Sequence, residues 1–262
     1  MAYDAVTCEK KGPVAVVTLN RPEASNAVDA GVATELKRLV QEIKDDEEVR
    51  VVVLTGSGNS FCIGSELDIA AVAGEGAPSQ TVKHILDQHR VADAVAGLKC
   101  PVIGVINGDA VGQGLELALA CDIRLVAQSA RLGLDHVKSG LIPWDGATQR
   151  LPRQVGRGMA LSMILSGEPV DGNEALRIGL VHQVFPADSL LQEATQLAEK
   201  IAAFAPIALR YIKEAVNQGM ELTLDQGLRL EQDLTLILQT TEDRVEGISA
   251  FLEKRSPQFK GE

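Results

Sequence analysis

Residues 135–150 read DHVKSGLIPWDGATQR and crowd Asp135, His136, Trp144 and Asp145 around a Gly-Leu-Ile-Pro turn, with Trp144 the single tryptophan of the chain. Acids beside an imidazole suit proton transfer near neutral pH, where histidine changes charge without a large perturbation. A second anomaly is Glu116. It lies early in GQGLELALAC (112–121), a helical pattern that is apolar on nearly every side and must therefore be buried. A buried carboxylate is costly unless it is paired or does chemistry. Two readings are open: an ion pair with Arg124 or Arg150, or catalysis.

Main-chain donors form the other half of a possible site. NGDAVGQG (107–114) runs from a strand end into the start of that helix, where unpaired N–H groups and the positive end of the helix dipole converge. Gly112-Gln113-Gly114 lacks the third glycine of a dinucleotide fingerprint and follows the third strand-like run, which argues against a dinucleotide site. Upstream, LTGSGNSFCIGSELDIAAV (54–72) leaves another strand through a second Gly-rich turn. Two such turns are what a main-chain oxyanion hole for a carbonyl oxygen requires.

The elements that must carry these groups alternate. VAVVTL (14–19), VRVVVLTG (49–56), PVIGVING (101–108) and IRLVA (123–127) read as strands covered on both faces. Helical patterns fall at 29–45, 79–98 and 112–121, which implies βαβ units and a largely parallel sheet. Beyond about residue 145 helices dominate, at 146–166, 172–179, 188–203, 205–218, 222–239 and 241–254. AVAGEGAPS (71–79) reads as a mobile loop.

Composition narrows the function classes. With 45% hydrophobic residues among 262, the chain can bury a sizeable core. A net charge of −11 argues against a nucleic-acid partner, whose affinity comes from neutralising phosphates. The start lacks a basic, then apolar, leader, and no apolar run approaches the roughly 20 residues of a membrane span, so a cytoplasmic protein is expected. Cys8, Cys62, Cys100 and Cys121 show no paired spacing and read as free thiols, Cys62 as a small buried one. No metal-ligand spacing is present, and His84 and His182 read as surface or structural.

Taken together, LNRPEASNAV (19–28), VVVLTGSGNSFCIGSEL (51–67), PVIGVINGDAVGQGLELALACDIRL (101–125), GLIPWDGATQRLPRQVGRGMA (140–160), EALRIGLVHQV (174–184) and FLEKRSPQF (251–259) resemble the crotonase (enoyl-CoA hydratase/isomerase) superfamily. The resemblance implies an α/β spiral of ββα units over residues 1–195 and a helical, trimer-forming region over 196–262. It also implies a homotrimer or dimer of trimers and an acyl-CoA substrate, with coenzyme A arriving as part of that substrate and no separate cofactor. By the same resemblance the backbone N–H groups of Ser65 and Gln113 form the oxyanion hole, and Ala24, Glu66, Leu67 and Asp68 line the coenzyme A path. Phe251 and Lys254 match C-terminal residues that help bind coenzyme A, commonly across a subunit contact.

Glu116 matches one of two hydratase glutamates, but His136 stands where the second belongs. Glu116 as water-activating base and His136 as proton partner could still hydrate a 2-enoyl-CoA to a 3-hydroxyacyl-CoA. Gln113, in place of a usual glycine, adds a side chain beside the substrate, and with Trp144 and His136 it suggests a pocket for a cyclic or bulky acyl group. Some members of the family carry a catalytic Asp directly after the position matching Pro143, and Asp145 lies one residue later. Asp145 with His89 thus offers a hydrolase or isomerase alternative, against a plainer reading in which Asp145 caps its own helix. A non-catalytic acyl-CoA-binding protein is the third reading.

Overall fold

The computed structural model describes residues 5–66 and 79–262. At its centre the valine-rich runs pair in parallel: Val14–Leu19 (β2), Val51–Gly56 (β3), Val102–Ile106 (β5) and Ile123–Ala127 (β7). They are buried almost throughout, as strands apolar on both faces require. Val6–Lys11 (β1) adds antiparallel to β2 at one edge and Gln183–Phe185 (β10) parallel to β7 at the other, in the order β1-β2-β3-β5-β7-β10.

A second sheet lies outside the sequence expectation. It consists of Ser60–Cys62 (β4), Asp109–Val111 (β6), Arg131–Gly133 (β8) and Val170–Asp171 (β9), in that order. Strands of two or three residues carry too little period-2 pattern to be read, so these segments look like turns. The two sheets advance in step: β3 leads to β4, β5 to β6 and β7 to β8. Each pair is followed by helix: Ser79–His89 (α2) and Ala92–Ala96 (α3), then Gln113–Leu119 (α4), then Ala147–Ser166 (α5). This repeat is the expected ββα spiral, and it brings the loops after β4, β6 and β8 to one place.

Ala30–Asp45 (α1) opens the helical series, with the Asp29 side chain accepting from Val32 N and with Leu36, Leu39, Val40 and Ile43 buried at helical spacing. Gly172–Arg177 (α6) and Ala187–Ala202 (α7) follow α5. The buried stripe of α7, Leu190, Ala194, Ala198 and Ala202, spans the boundary expected at 195/196 and contributes to the same core as the strands. Pro206–Gly219 (α8), Leu224–Leu238 (α9) and Glu242–Glu253 (α10) complete the chain. In the single chain they leave large apolar side chains in water, among them Leu224, Leu252 and Phe251. No helix among the described residues is long and apolar enough to cross a membrane.

Two helices differ from expectation. The pattern at 79–98 breaks at residues 90–91, giving α2 and α3. The helix at 147–166 is interrupted at Gly156, whose φ of 78° and ψ of 159° leave the helical region.

α4 rests directly on β4. A Cβ on Gly114 would collide with the Cys62 carbonyl oxygen, a main-chain atom that cannot turn aside. Gly114→Ala is therefore expected to destabilise the protein by about 3 kcal/mol, read as a lower urea midpoint at unchanged m. A wild-type midpoint would refute this contact.

Candidate active site

Backbone geometry shapes the first wall. Gly64 takes a φ of 120°, and an isolated parallel bridge joins Ser65 to Val28, with Val28 N donating to Gly64 O and Glu66 N to Val28 O. Opposite, Gly112 (φ 56°, ψ −125°) turns the chain into α4, a conformation L-residues rarely adopt. Gln113 is the first residue of α4, so its N–H has no acceptor within the helix. The turns abut: a Cβ on Gly112 would meet Gly64 Cα at 3.6 Å, and one on Gly64 would lie 3.9 Å from Gln113 N.

A cavity of about 340 Å³ opens beside them, bordered by Ser65, Gln113, His136 and Trp144. Val82, Leu86, Leu141 and Ile142 make it largely apolar. Such a pocket, with a few converging polar groups, is the usual form of a small-molecule site.

His136 begins a short 3-10 turn, His136–Ser139, and faces this cavity. Its Nε2 lies 3.5 Å from Glu116 Oε2, too far for a direct hydrogen bond but near enough for both to touch one small molecule. Glu116 is fully buried. Its Oε1 accepts from Asp145 N at 2.8 Å and from Ala147 N at 3.0 Å, at the start of α5, where free N–H groups and the helix dipole favour a negative charge. Among the described residues Oε2 has no hydrogen-bond partner. The ion-pair reading of Glu116 is thus corrected. Arg124 donates to Leu180 O, Cys121 O and Gln154 Oε1, and Arg150 pairs with Asp93.

Asp145 does not cap its own helix, whose N-cap is Gly146. It is fully buried, and its Oδ2 accepts from Val91 N at 2.8 Å, Ala92 N at 3.1 Å and Gln113 Nε2 at 2.9 Å. It therefore caps α3 from outside, at the point where the expected 79–98 helix breaks. Arg90 Nε lies 3.7 Å from its other oxygen. Burial pushes the Asp145 carboxyl above its ordinary value; the Gln113, Val91 and Ala92 hydrogen bonds oppose this, and the Glu116 charge adds to it. The Gln113 side chain is also corrected: its amide turns away into the protein, donating to His89 O at 2.6 Å as well as to Asp145.

His89 Nδ1 lies 2.9 Å from Ile85 O, and neither His89 nor Asp145 borders the cavity. Ala24 ends a 3-10 turn, Pro22–Ala24, followed by Ser25 and Asn26 at positive φ. Glu66 pairs with Arg21 at 3.1 Å, and Leu67 and Asp68 lie outside the described residues. Phe251 and Lys254 are exposed at the end of α10 and do not border this cavity. His84 contacts Gln88, while His182 Nδ1 accepts from Arg124 N. Burial pushes the Cys62 thiol up to about 12, which suits an inert packing role.

Asn26 was missed. It is buried, its Nδ2 donates to Ser57 O and Ser60 O, and its Oδ1 accepts from Arg21 N, tying the Ala24 turn to the loop before Ser65. The one available signal was an Asn beside Ser in a loop, a residue type that tolerates the left-handed region.

The architecture and cavity define an α/β enzyme with paired main-chain turns beside a buried acid and an imidazole, and solved structures share this fold. The enoyl-CoA hydratase of Bacillus anthracis superposes with a TM-score of 0.93 at 39% identity, covering 98% of this chain and 100% of that one. The family described as Enoyl-CoA hydratase/isomerase matches residues 9–262. The chain belongs to this family, within the crotonase superfamily, and is an enoyl-CoA hydratase-like lyase. Among curated relatives, the 2,3-dehydroadipyl-CoA hydratase of Escherichia coli K12 is 39% identical over 95% of each chain. The crotonyl-CoA hydratase of Syntrophomonas wolfei is 38% identical over 99% of each.

The raised Asp145 carboxyl has a thermodynamic consequence. Its ionisation is harder in the folded state, so its contribution is fullest below the ordinary value of 3.8 and is lost as the pH rises through the raised folded value. Asp145→Asn removes that dependence. The melting temperature of wild type relative to Asp145→Asn is expected to fall as the pH rises through this window, and parallel curves would contradict it.

Proposed function

We propose that this enzyme adds water to a 2-enoyl-CoA, giving a 3-hydroxyacyl-CoA. The observation that carries the reading is the unpartnered Glu116 Oε2, 3.5 Å from His136 Nε2, beside the abutting Ser65 and Gln113 turns. The Ser65 and Gln113 N–H groups would receive the thioester oxygen as enolate charge builds on it. Water held between Glu116 Oε2 and His136 Nε2 attacks Cβ and gives its proton to Glu116. The imidazolium of His136 delivers the Nε2 proton to Cα, collapsing the enolate. Both new bonds form on the face next to the pair, so addition is syn. Transfer of the proton from Glu116 to His136 resets the site.

Trp144 supplies a flat wall that favours a cyclic or bulky acyl group. Coenzyme A arrives with the substrate, along Ala24, Glu66, Leu67 and Asp68, and no separate cofactor is needed. The exposed apolar faces of α8–α10 support assembly of the 196–262 region into a cytoplasmic homotrimer or dimer of trimers, in which Phe251 and Lys254 meet a neighbour's coenzyme A.

Linear and cyclic 2-enoyl-CoAs, incubated with the enzyme and followed by mass, are expected to gain one water. Glu116→Gln should lower kcat by about 10³-fold and His136→Ala by about 10²-fold. Binding of every acyl-CoA without turnover, or a Glu116→Gln enzyme running at wild-type rate, would overturn the hydratase assignment.

A further inference from the structure

Asp145 stands where the two halves of the site meet. Through its side chain it holds Gln113 Nε2 at 2.9 Å, and through its main-chain N–H it holds Glu116 Oε1 at 2.8 Å. Gln113 opens α4 and carries one of the two proposed oxyanion donors. The N-cap of α4 is Gly112, which has no side chain with which to cap the helix. A seven-residue helix with an uncapped start would be free to fray at the donor that must stay still. The Gln113 amide removes that freedom. Its nitrogen reaches both His89 O and Asp145 Oδ2, which fixes the amide plane and with it the Gln113 backbone.

A carboxylate is suited to this task. Its Oδ2 takes three donors, from Val91, Ala92 and Gln113. The Asp145 carbonyl in turn accepts from Arg150 Nη1 at 3.0 Å, which steadies the main chain that carries the donor to Glu116.

We propose that Asp145 is a positioning residue that holds the Gln113 N–H in register with the Glu116 carboxylate, so that the oxyanion donor and the proton-transfer pair stay aligned. It rests on the acyl-CoA reading above, not on hydration as such.

The test compares binding of a 3-oxoacyl-CoA, whose enolate resembles the charged intermediate, with binding of the saturated acyl-CoA of equal length, by calorimetry. Asp145→Ala is expected to weaken the 3-oxoacyl-CoA by at least ~10-fold and the saturated ligand by less than ~2-fold, because only the former loads the oxyanion donors. On an enoyl-CoA, kcat should fall with KM nearly unchanged. Asp145→Asn keeps an acceptor oxygen for all three donors and should recover most of the loss. Gln113→Ala should resemble Asp145→Ala, and the double variant should bind the 3-oxoacyl-CoA no worse than Asp145→Ala alone.

Equal weakening of both ligands would reduce Asp145 to a structural cap and overturn the proposal. Additive losses in the double variant would do the same. Asp145→Asn as damaging as Asp145→Ala would show that an acceptor oxygen at this place does not suffice to hold Gln113, and would overturn the proposal as well. Should Asp145→Ala fail to fold, Gln113→Ala leaves the α3 cap in place and gives the same ligand comparison. A wild type that prefers the 3-oxoacyl-CoA yet hydrates nothing would sink the hydratase reading while leaving the Asp145 comparison intact.

Discussion

The site depends on how a fully buried carboxylate finds hydrogen-bond donors. Glu116 lies on a helix buried along its whole length, and its charge is met by two main-chain N–H groups at the start of α5. Hydrogen bonds to a charged group contribute about 1.5–3 kcal/mol each, and the α5 dipole adds to them. One oxygen is thereby anchored, and the other makes no hydrogen bond among the described residues. An arginine partner would have held both oxygens and closed the site.

That anchoring obliges α4 and the start of α5 to meet, and the two-sheet spiral supplies the meeting. Each ββα unit moves the chain from the larger sheet to the smaller one before its helix begins. The loops after β4, β6 and β8 therefore converge and bring Ser65, Gln113, His136 and Asp145 together from segments far apart in the chain. The approach is close enough that Gly114 has room for no side chain. Asp145, reached from α5, then closes the α2–α3 break and grips Gln113, so the loop that completes the acid side also braces the donor side.

Much of this was legible residue by residue. The valine runs announce two-faced parallel strands because burial on both faces suppresses the polar alternation that an exposed face would show. Glu116 stands out because an acid in an all-apolar helix needs a reason. The small sheet was illegible, since Arg131–Gly133 and Val170–Asp171 are too short to carry a period. Asp145 was misread because a turn before a helix suggests a local cap, while its actual partners lie 32 to 54 residues upstream. Gln113 was expected to reach toward substrate, and only the presence of Asp145 and His89 O in its path turns it inward.

Local features were thus determined by the sequence itself: which runs become strands, which glycines permit the turns at Gly64 and Gly112, and that an acid at Glu116 and an imidazole at His136 are present. These are properties of residue type and near neighbours, and they persist in any context that buries the same faces. Tertiary structure decided the rest: the 3.5 Å between Glu116 and His136, the main-chain rather than arginine partners of Glu116, and the role of Asp145. Those depend on contacts between segments distant in the chain, and burial makes each such contact hinge on which donor happens to lie within hydrogen-bond reach.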